Sequence, residues 1–345
     1  MTLLDESLAT EMAVWEAAGL RRRLDGDDDD DHGDHDGSRG ADFCSNDYLG
    51  LAGHPAVIEA ARDALARHGA GARASRLLGG GSPAHEAAER AAADWLGAES
   101  ALLFPSGYQA NLGVVTALIG RGDAVFSDQW NHASLIDAAR LSRARTHVYR
   151  HLDLEELERM LARERGARRR LVLTESIFSM DGDAAPLDEL DELCRRYEAW
   201  LVVDEAHAAG LLGPEGAGAW GRRTSDRPRS PRLIARVVTG GKALGVCGAF
   251  AATSAVLREH LVNRARAFVF TTAPTPATAG ALVRAIELCR AGDDLRERAL
   301  ANARALEKGS DTVECTIADR PWVQQPFPYQ GKCLQWLREQ RAALV

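Results

Sequence analysis

A chain of 345 residues, 46% apolar and 27% charged, can bury a large core and has the make-up of an ordinary globular protein. Its formal charge of −8 excludes the basic surface that nucleic acid or an anionic membrane would ask for, while leaving room for a local pocket that takes a small anion. The cysteines (Cys44, Cys194, Cys247, Cys289, Cys315 and Cys333) are scattered without a CxxC pair, and no segment reads as a signal or a membrane span, so reduced thiols in the cytoplasm are expected.

Residues 3–23 predict an amphipathic helix ending in Arg21, Arg22 and Arg23, where cations suit the helix dipole. Asp25, the run Asp27 to Asp31, and His32, Asp34, His35 and Asp36 predict a solvated linker, although a mixed Asp/His tract could also bind a metal adventitiously. From Asp42 onward, short apolar strands alternate with helical stretches. The strands are centred on 101–104, 124–126, 171–173, 201–203 and 236–238, and the helices include 83–96, 111–119, 154–165 and 187–197. Strands that are apolar throughout and flanked by helices predict an α/β fold, a mostly parallel sheet covered on both faces. In such sheets ligands sit beyond the carboxyl ends of the strands, so those ends are where chemistry is sought.

The strand at Leu102 runs into Pro105-Ser106-Gly107-Tyr108 and a helix, whose first amides and positive dipole end could cradle a phosphate; ordinary capping reads the same way. The strand at Val125 is followed by Asn131-His132, and an imidazole there could stack on a ring lying over the sheet. Glu175 to Gly182 follows the strand at Leu171, with Ser179 in a Ser-Met-Asp-Gly turn. The strand at Leu201 ends in Asp204-Glu205-Ala206-His207. A buried carboxylate there needs a partner, either a protonated pyridine nitrogen or a structural arginine. The strand at Arg236 ends in Thr239-Gly240-Gly241-Lys242. A desolvated lysine makes a Schiff-base nucleophile, while a solvated loop lysine would look similar. Ala243 after the lysine excludes a P-loop, and the glycines at 79–81 lack the GxGxxG of a dinucleotide site.

Seven stretches, in order over about residues 42–285, carry a resemblance: SNDYLGLAGHP (45–55), GARASRLLGGGSPAHEAAE (71–89), LLFPSGYQAN (102–111), NHASLIDAARLS (131–142), TESIFSMDGDAAPLDEL (174–190), VVDEAHAAGLLG (202–213) and VTGGKALGVCGAF (238–250). The set resembles the α-oxoamine synthases, fold-type-I transferases dependent on pyridoxal 5'-phosphate (PLP) that condense an amino acid with an acyl thioester and release CO2. The resemblance implies a seven-stranded-type sheet and a division into an N-terminal helix and acidic linker (1–45), a large PLP-binding domain (46–285) and a small C-terminal α+β domain (286–345). Within the family it points to the biotin-pathway reaction of L-alanine with a pimeloyl thioester. A related synthase using glycine or serine, or a non-catalytic partner subunit, is the alternative.

Residue by residue, the resemblance implies Lys242 as the Schiff-base lysine and proton carrier, Asp204 on the pyridine nitrogen, His207 on the phenolic oxygen and His132 on the ring face. It implies the amides of Gly107 and Tyr108 with the Thr239 hydroxyl as the phosphate site, Ser179 by the ring oxygen and Glu175 around it. Asn46 would line the substrate side, and Arg21 would reach the acyl carboxylate. Thr271 and Thr272 would reach the phosphate of a neighbouring subunit, so a homodimer with shared sites is expected. Residues 333–345 resemble the helix leading into the second half of the small domain, and Pro321, Pro326 and Pro328 read as loop. An incomplete small domain, without the family's carboxylate-binding arginine and with impaired chemistry, is therefore expected.

Overall fold

A computed structural model describes residues 2–21, 45–221 and 230–309. The acidic tract and the segment from 310 to 345 lie outside the described residues, and with them the expectations for the linker, for Arg22 and Arg23, and for the end of the small domain.

Seven strands form one sheet among the described residues: β1 (Ser100–Phe104), β2 (Ala124–Asp128), β3 (Arg145–Tyr149), β4 (Arg170–Glu175), β5 (Trp200–Asp204), β6 (Leu233–Thr239) and β7 (Ala249–Thr253). Their order is β1-β7-β6-β5-β4-β2-β3, with β7 antiparallel to both neighbours and the other pairs parallel. The helices are α1 (Leu3–Ala17), α2 (Pro55–His68), α3 (Pro83–Leu96), α4 (Gly107–Leu118), α5 (Ala133–Ser142), α6 (Leu154–Arg163), α7 (Leu187–Arg196), α8 (Ala255–Arg264), α9 (Arg266–Val269), α10 (Pro276–Ala291) and α11 (Asp293–Gly309). The predicted mostly parallel α/β fold is the one observed. Two strands are not among those expected from the sequence: β3, whose residues are largely exposed, and β7, the antiparallel strand inside the sheet.

Both faces of the sheet are buried because successive strand residues point to opposite sides. Leu102, Phe104, Leu171, Leu173, Val202 and Val237 pack under α4, α5, α8 and α9. Their neighbours Leu103, Val238 and Phe250 pack under α3 and α10. Phe126, Val172 and Val203 pack under α6 and α7. Each such side chain contributes roughly 1.5–3 kcal/mol relative to exposure. Phe104 shows how close the fit is: its ring meets Phe268 edge-on at 5.6 Å, and a Cβ at Gly113 of α4 would stand 2.7 Å from the ring. A Phe104→Ala change would leave a void costing about 3–5 kcal/mol.

The N-terminal helix differs from its prediction. It stops at Ala17, carries no basic residue in its last turn and buries no residue. Arg21 lies beyond it, in an ion pair with Glu16 at 2.7 Å, because Gly19 (φ +67°) turns the chain after the helix. Among the described residues no helix is long and apolar enough to cross a membrane.

Candidate active site

The parallel strands deliver their last residues to one edge of the sheet: Asp128 from β2, Glu175 from β4, Asp204 from β5 and Thr239 from β6. Glu175 and Asp204 face each other in register. Asp204 is 5% exposed, and its oxygens accept the N–H of Ala206 at 2.9 Å and the side-chain amide of Asn111 at 2.7 Å. The same amide of Asn111 donates to Ser134 Oγ at 2.8 Å, and Ser134 Oγ lies 2.8 Å from His132 Nδ1. His132 caps α5, while its backbone N–H donates to Glu175 Oε1 at 2.6 Å.

Lys242 sits in the tight turn after β6, closed by Val246 N–H to Gly240 O at 2.7 Å. Gly245 in that turn adopts φ +64° and lies so close to the 51–52 backbone that a Cβ would stand 2.3 Å from Ala52 N. Glycine is therefore needed for the Lys242 turn to meet the loop that carries Tyr48. Lys242 Nζ lies 2.5 Å from His207 Nε2, His207 Nδ1 lies 2.8 Å from Tyr48 Oη, and Tyr48 Oη donates to Asn46 Oδ1 at 3.0 Å.

Burial, then the neighbouring Lys242 and His132, push the His207 imidazole down to about 3. It is therefore neutral, with one N–H to place. Only one arrangement uses every group: Lys242 donates to Nε2, Nδ1–H donates to Tyr48, and the phenol donates to Asn46. Burial also lowers the Lys242 amine, against the pull of Asp204 and Glu175. Burial, then Asp204, raises the Glu175 carboxyl to about 8, despite the N–H groups of His132 and Ser179 that it accepts.

The start of α4 forms a second feature. Ser106 caps Gln109 N through Oγ and Ala110 N through its carbonyl, which leaves the amides of Gly107 and Tyr108 for an outside acceptor. A Cβ on Gly107 would stand 2.5 Å from Thr239 Cγ2, so the start of α4 and the end of β6 meet there only because Gly107 has none. Thr239 Oγ1 is buried and unpartnered. Two free amides, a helix N-terminus and an orphaned hydroxyl fit a phosphate group.

The other residues singled out from the sequence lie as follows. Tyr108 turns its phenol outward to Asp137 at 2.5 Å, so only its backbone faces the cradle. Ser179 is exposed in the turn after β4, and Asn46 is exposed. Thr271 Oγ1 accepts from Gln109 Nε2 at 3.4 Å on the first turn of α4, and Thr272 is exposed beside it. Arg21 is held by Glu16. Three site residues carried no role in the sequence reading: Asn111, Ser134 and Tyr48. Asn111 had a readable signal, as a polar residue on the sheet-facing side of an otherwise apolar helix.

The family model for class I and II aminotransferases matches residues 39–323. The chain is similar to the 8-amino-7-oxononanoate synthase of Methylococcus capsulatus, with 49% identity over 292 residues, 85% of this chain and 74% of the relative. Among solved structures it is similar to a serine palmitoyltransferase from S. paucimobilis with a bound PLP–myriocin aldimine, at 32% identity and a TM-score of 0.73. That match covers 77% of this chain and 66% of the transferase, so the chain spans just under two thirds of its length. It is also similar to the 8-amino-7-oxononanoate synthase of Francisella tularensis, at 28% identity and a TM-score of 0.67, over 78% of this chain and 75% of that one.

Proposed function

Because the chain belongs to the class I and II aminotransferase family, we propose that it binds PLP and condenses L-alanine with a pimeloyl thioester, releasing CO2 and the thiol, to give 8-amino-7-oxononanoate for biotin synthesis. The observation that carries this reading is the half-buried Lys242 amine, kept low by burial and surrounded by Asp204, Glu175 and His207 beside a phosphate-shaped cradle.

When bound, PLP supplies an electron-withdrawing pyridinium that makes the alanine Cα proton removable. The chain's own residues set up the rest. The Gly107 and Tyr108 amides and the Thr239 hydroxyl hold the phosphate. Asp204, kept in place by Asn111 and the Ala206 amide, holds the proton on the pyridine nitrogen. His207 would lie by the phenolic oxygen and His132 would lie against the ring face. Glu175 and Ser179 shape the wall beside them. Lys242 anchors the cofactor and moves the Cα proton, a task suited to an amine whose burial favours its neutral form. Asn46 lines the substrate side, and Arg21 meets the distal acyl carboxylate by exchanging its Glu16 partner. Thr271 and Thr272 serve the phosphate of a second copy in a cytoplasmic homodimer.

The test is direct. The purified chain with PLP should be yellow, and borohydride should bleach the band and leave the mass label on Lys242. Alanine with pimeloyl thioester should release CO2. Turnover with glycine or serine in place of alanine would move the reading to another synthase, and a colourless chain would overturn it.

A further inference from the structure

The C-terminal ends of β2 and β4 are joined a second time, outside the cluster described above. His151 Nδ1 lies 2.8 Å from Oδ1 of Asp128, the last residue of β2, and His151 Nε2 lies 2.5 Å from Oδ2 of Asp183 in the loop after β4. The imidazole stacks on Trp130 with centroids 4.0 Å apart and an angle of 22°, and meets Phe178 edge-on at 4.5 Å. Asp128 is 1% exposed and also accepts the N–H groups of Trp130 and Leu152, both at 2.9 Å.

A histidine between two carboxylates donates from both nitrogens only as an imidazolium. Burial opposes that charge, but the hydrogen bonds to Asp128 and Asp183 outweigh it and hold the group up at about 9. Other charged or titratable groups lie nearby. Arg150 turns to Asp153 and Glu156, Tyr149 is a buried phenol at the end of β3, and Asp181 lies in the turn itself.

Asp183 closes the loop that carries Ser179. Phe178 N–H donates to Asp183 O at 3.0 Å, Gly182 N–H donates to Phe178 O at 2.8 Å, and Ile177 bridges Ala184. The second oxygen of Asp183 is buried without a partner, so His151 is what neutralises that carboxylate. At the inner end of the same loop, Glu175 accepts the N–H of both Ser179 and His132. Two clamps therefore cross the same pair of strand-end loops, Glu175 inside and His151 outside.

We propose that His151 is a positioning residue: by bridging Asp128 to Asp183 it fixes the Ser179 turn against the His132 end of β2. This rests on the reading of the strand-end cluster as a PLP site, which Ser179 and His132 flank. Without the bridge, the partly buried Asp183 carboxylate is left unpaired, the turn moves to hydrate it, and Ser179 leaves the cofactor's edge.

The test uses the full chain, with and without PLP. His151→Asn should raise the PLP dissociation constant about fivefold, the size expected for a coupled contact. In a Ser179→Ala background the same change should add less than about twofold, because the contact it supports is already gone. Equal effects in the two backgrounds would overturn the proposal. Should His151→Asn fail to fold, Asp183→Asn keeps an acceptor and removes one charge. It should lower the His151 titration midpoint seen by NMR and speed amide exchange at Phe178 and Gly182. Unchanged exchange there would overturn the proposal as well. If the unmodified chain binds no PLP, the functional reading falls, and exchange in the cofactor-free chain still decides the role of His151.

Discussion

Glu175 and Asp204 are register partners in neighbouring parallel strands, two carboxyl groups 2% and 5% exposed at the same edge of the sheet. Parallel pairing puts the last residue of β4 beside the last residue of β5, and burial leaves little water between the charges to screen them. One of the two must resist ionisation, and it is Glu175, held up at about 8 by burial and by Asp204. In the proposed reading the other, Asp204, is the carboxyl that would meet the pyridine nitrogen.

In the cofactor-free chain this has a measurable sign. The folded state keeps the Glu175 proton that the unfolded chain releases in the ordinary carboxyl range. Stability therefore declines as pH rises from that range to about 8, and stays reduced above it. Glu175→Gln removes the ionisation. Its unfolding free energy relative to the unmodified chain should grow by about 1–3 kcal/mol between pH ~5 and pH ~8.5 in urea titrations. A difference that does not change with pH would contradict the assignment.

In the proposed reading, Lys242 would serve chemistry at the expense of stability. Its lowered amine means that the cost of a buried ammonium is present at neutral pH and fades as pH rises toward the ordinary lysine range. Lys242→Met should raise the stability of the cofactor-free chain by about 1 kcal/mol at neutral pH, while turnover falls by roughly 10²–10⁴-fold. A destabilised variant would show that the amine is better paired than its surroundings indicate.

Tyr48→Phe removes the phenol between His207 and Asn46 and leaves the His207 N–H without its acceptor. Only Lys242, at Nε2, is then left to select the tautomer. A loss of about fivefold to tenfold in kcat, with a shifted pH profile and little change in KM for the acyl substrate, is expected from one such hydrogen bond. An unaltered pH profile would show that Tyr48 does not set the His207 tautomer.

Gly107→Ala places a methyl group 2.5 Å from the Thr239 side chain. Separating the start of α4 from the end of β6 at the cradle should cost about 1–3 kcal/mol and weaken PLP binding about tenfold, with the loss confined to phosphorylated forms of the cofactor. Equal weakening for pyridoxal without its phosphate would place the phosphate elsewhere.

Much of the fold was legible because burial on both faces of a parallel sheet demands short, continuous apolar runs, and five of the seven strands show them. The two strands that escaped do so for physical reasons. β3 is an edge whose residues are largely exposed, and β7, mostly small residues around Phe250, runs antiparallel between β1 and β6. The end of α1 was misplaced because three arginines suggest a helix terminus, whereas Gly19 turns the chain before them.

The sequence by itself determined the chemistry on offer: a lysine after paired glycines, an Asp-x-x-His pair, a Ser-Gly helix start and a lone histidine before another helix, each at a strand end. Only the tertiary structure decided which of these meet. Strand order is a non-local choice, set by how the helices cover the two faces, and it places β4 between β5 and β2 and leaves β6 beside β5. From that order follow the Glu175–Asp204 pairing, the Lys242–His207–Tyr48 chain, the Asn111 bridge and the His151 clamp. Each joins residues 23 to 159 positions apart along the chain, where no local pattern reaches.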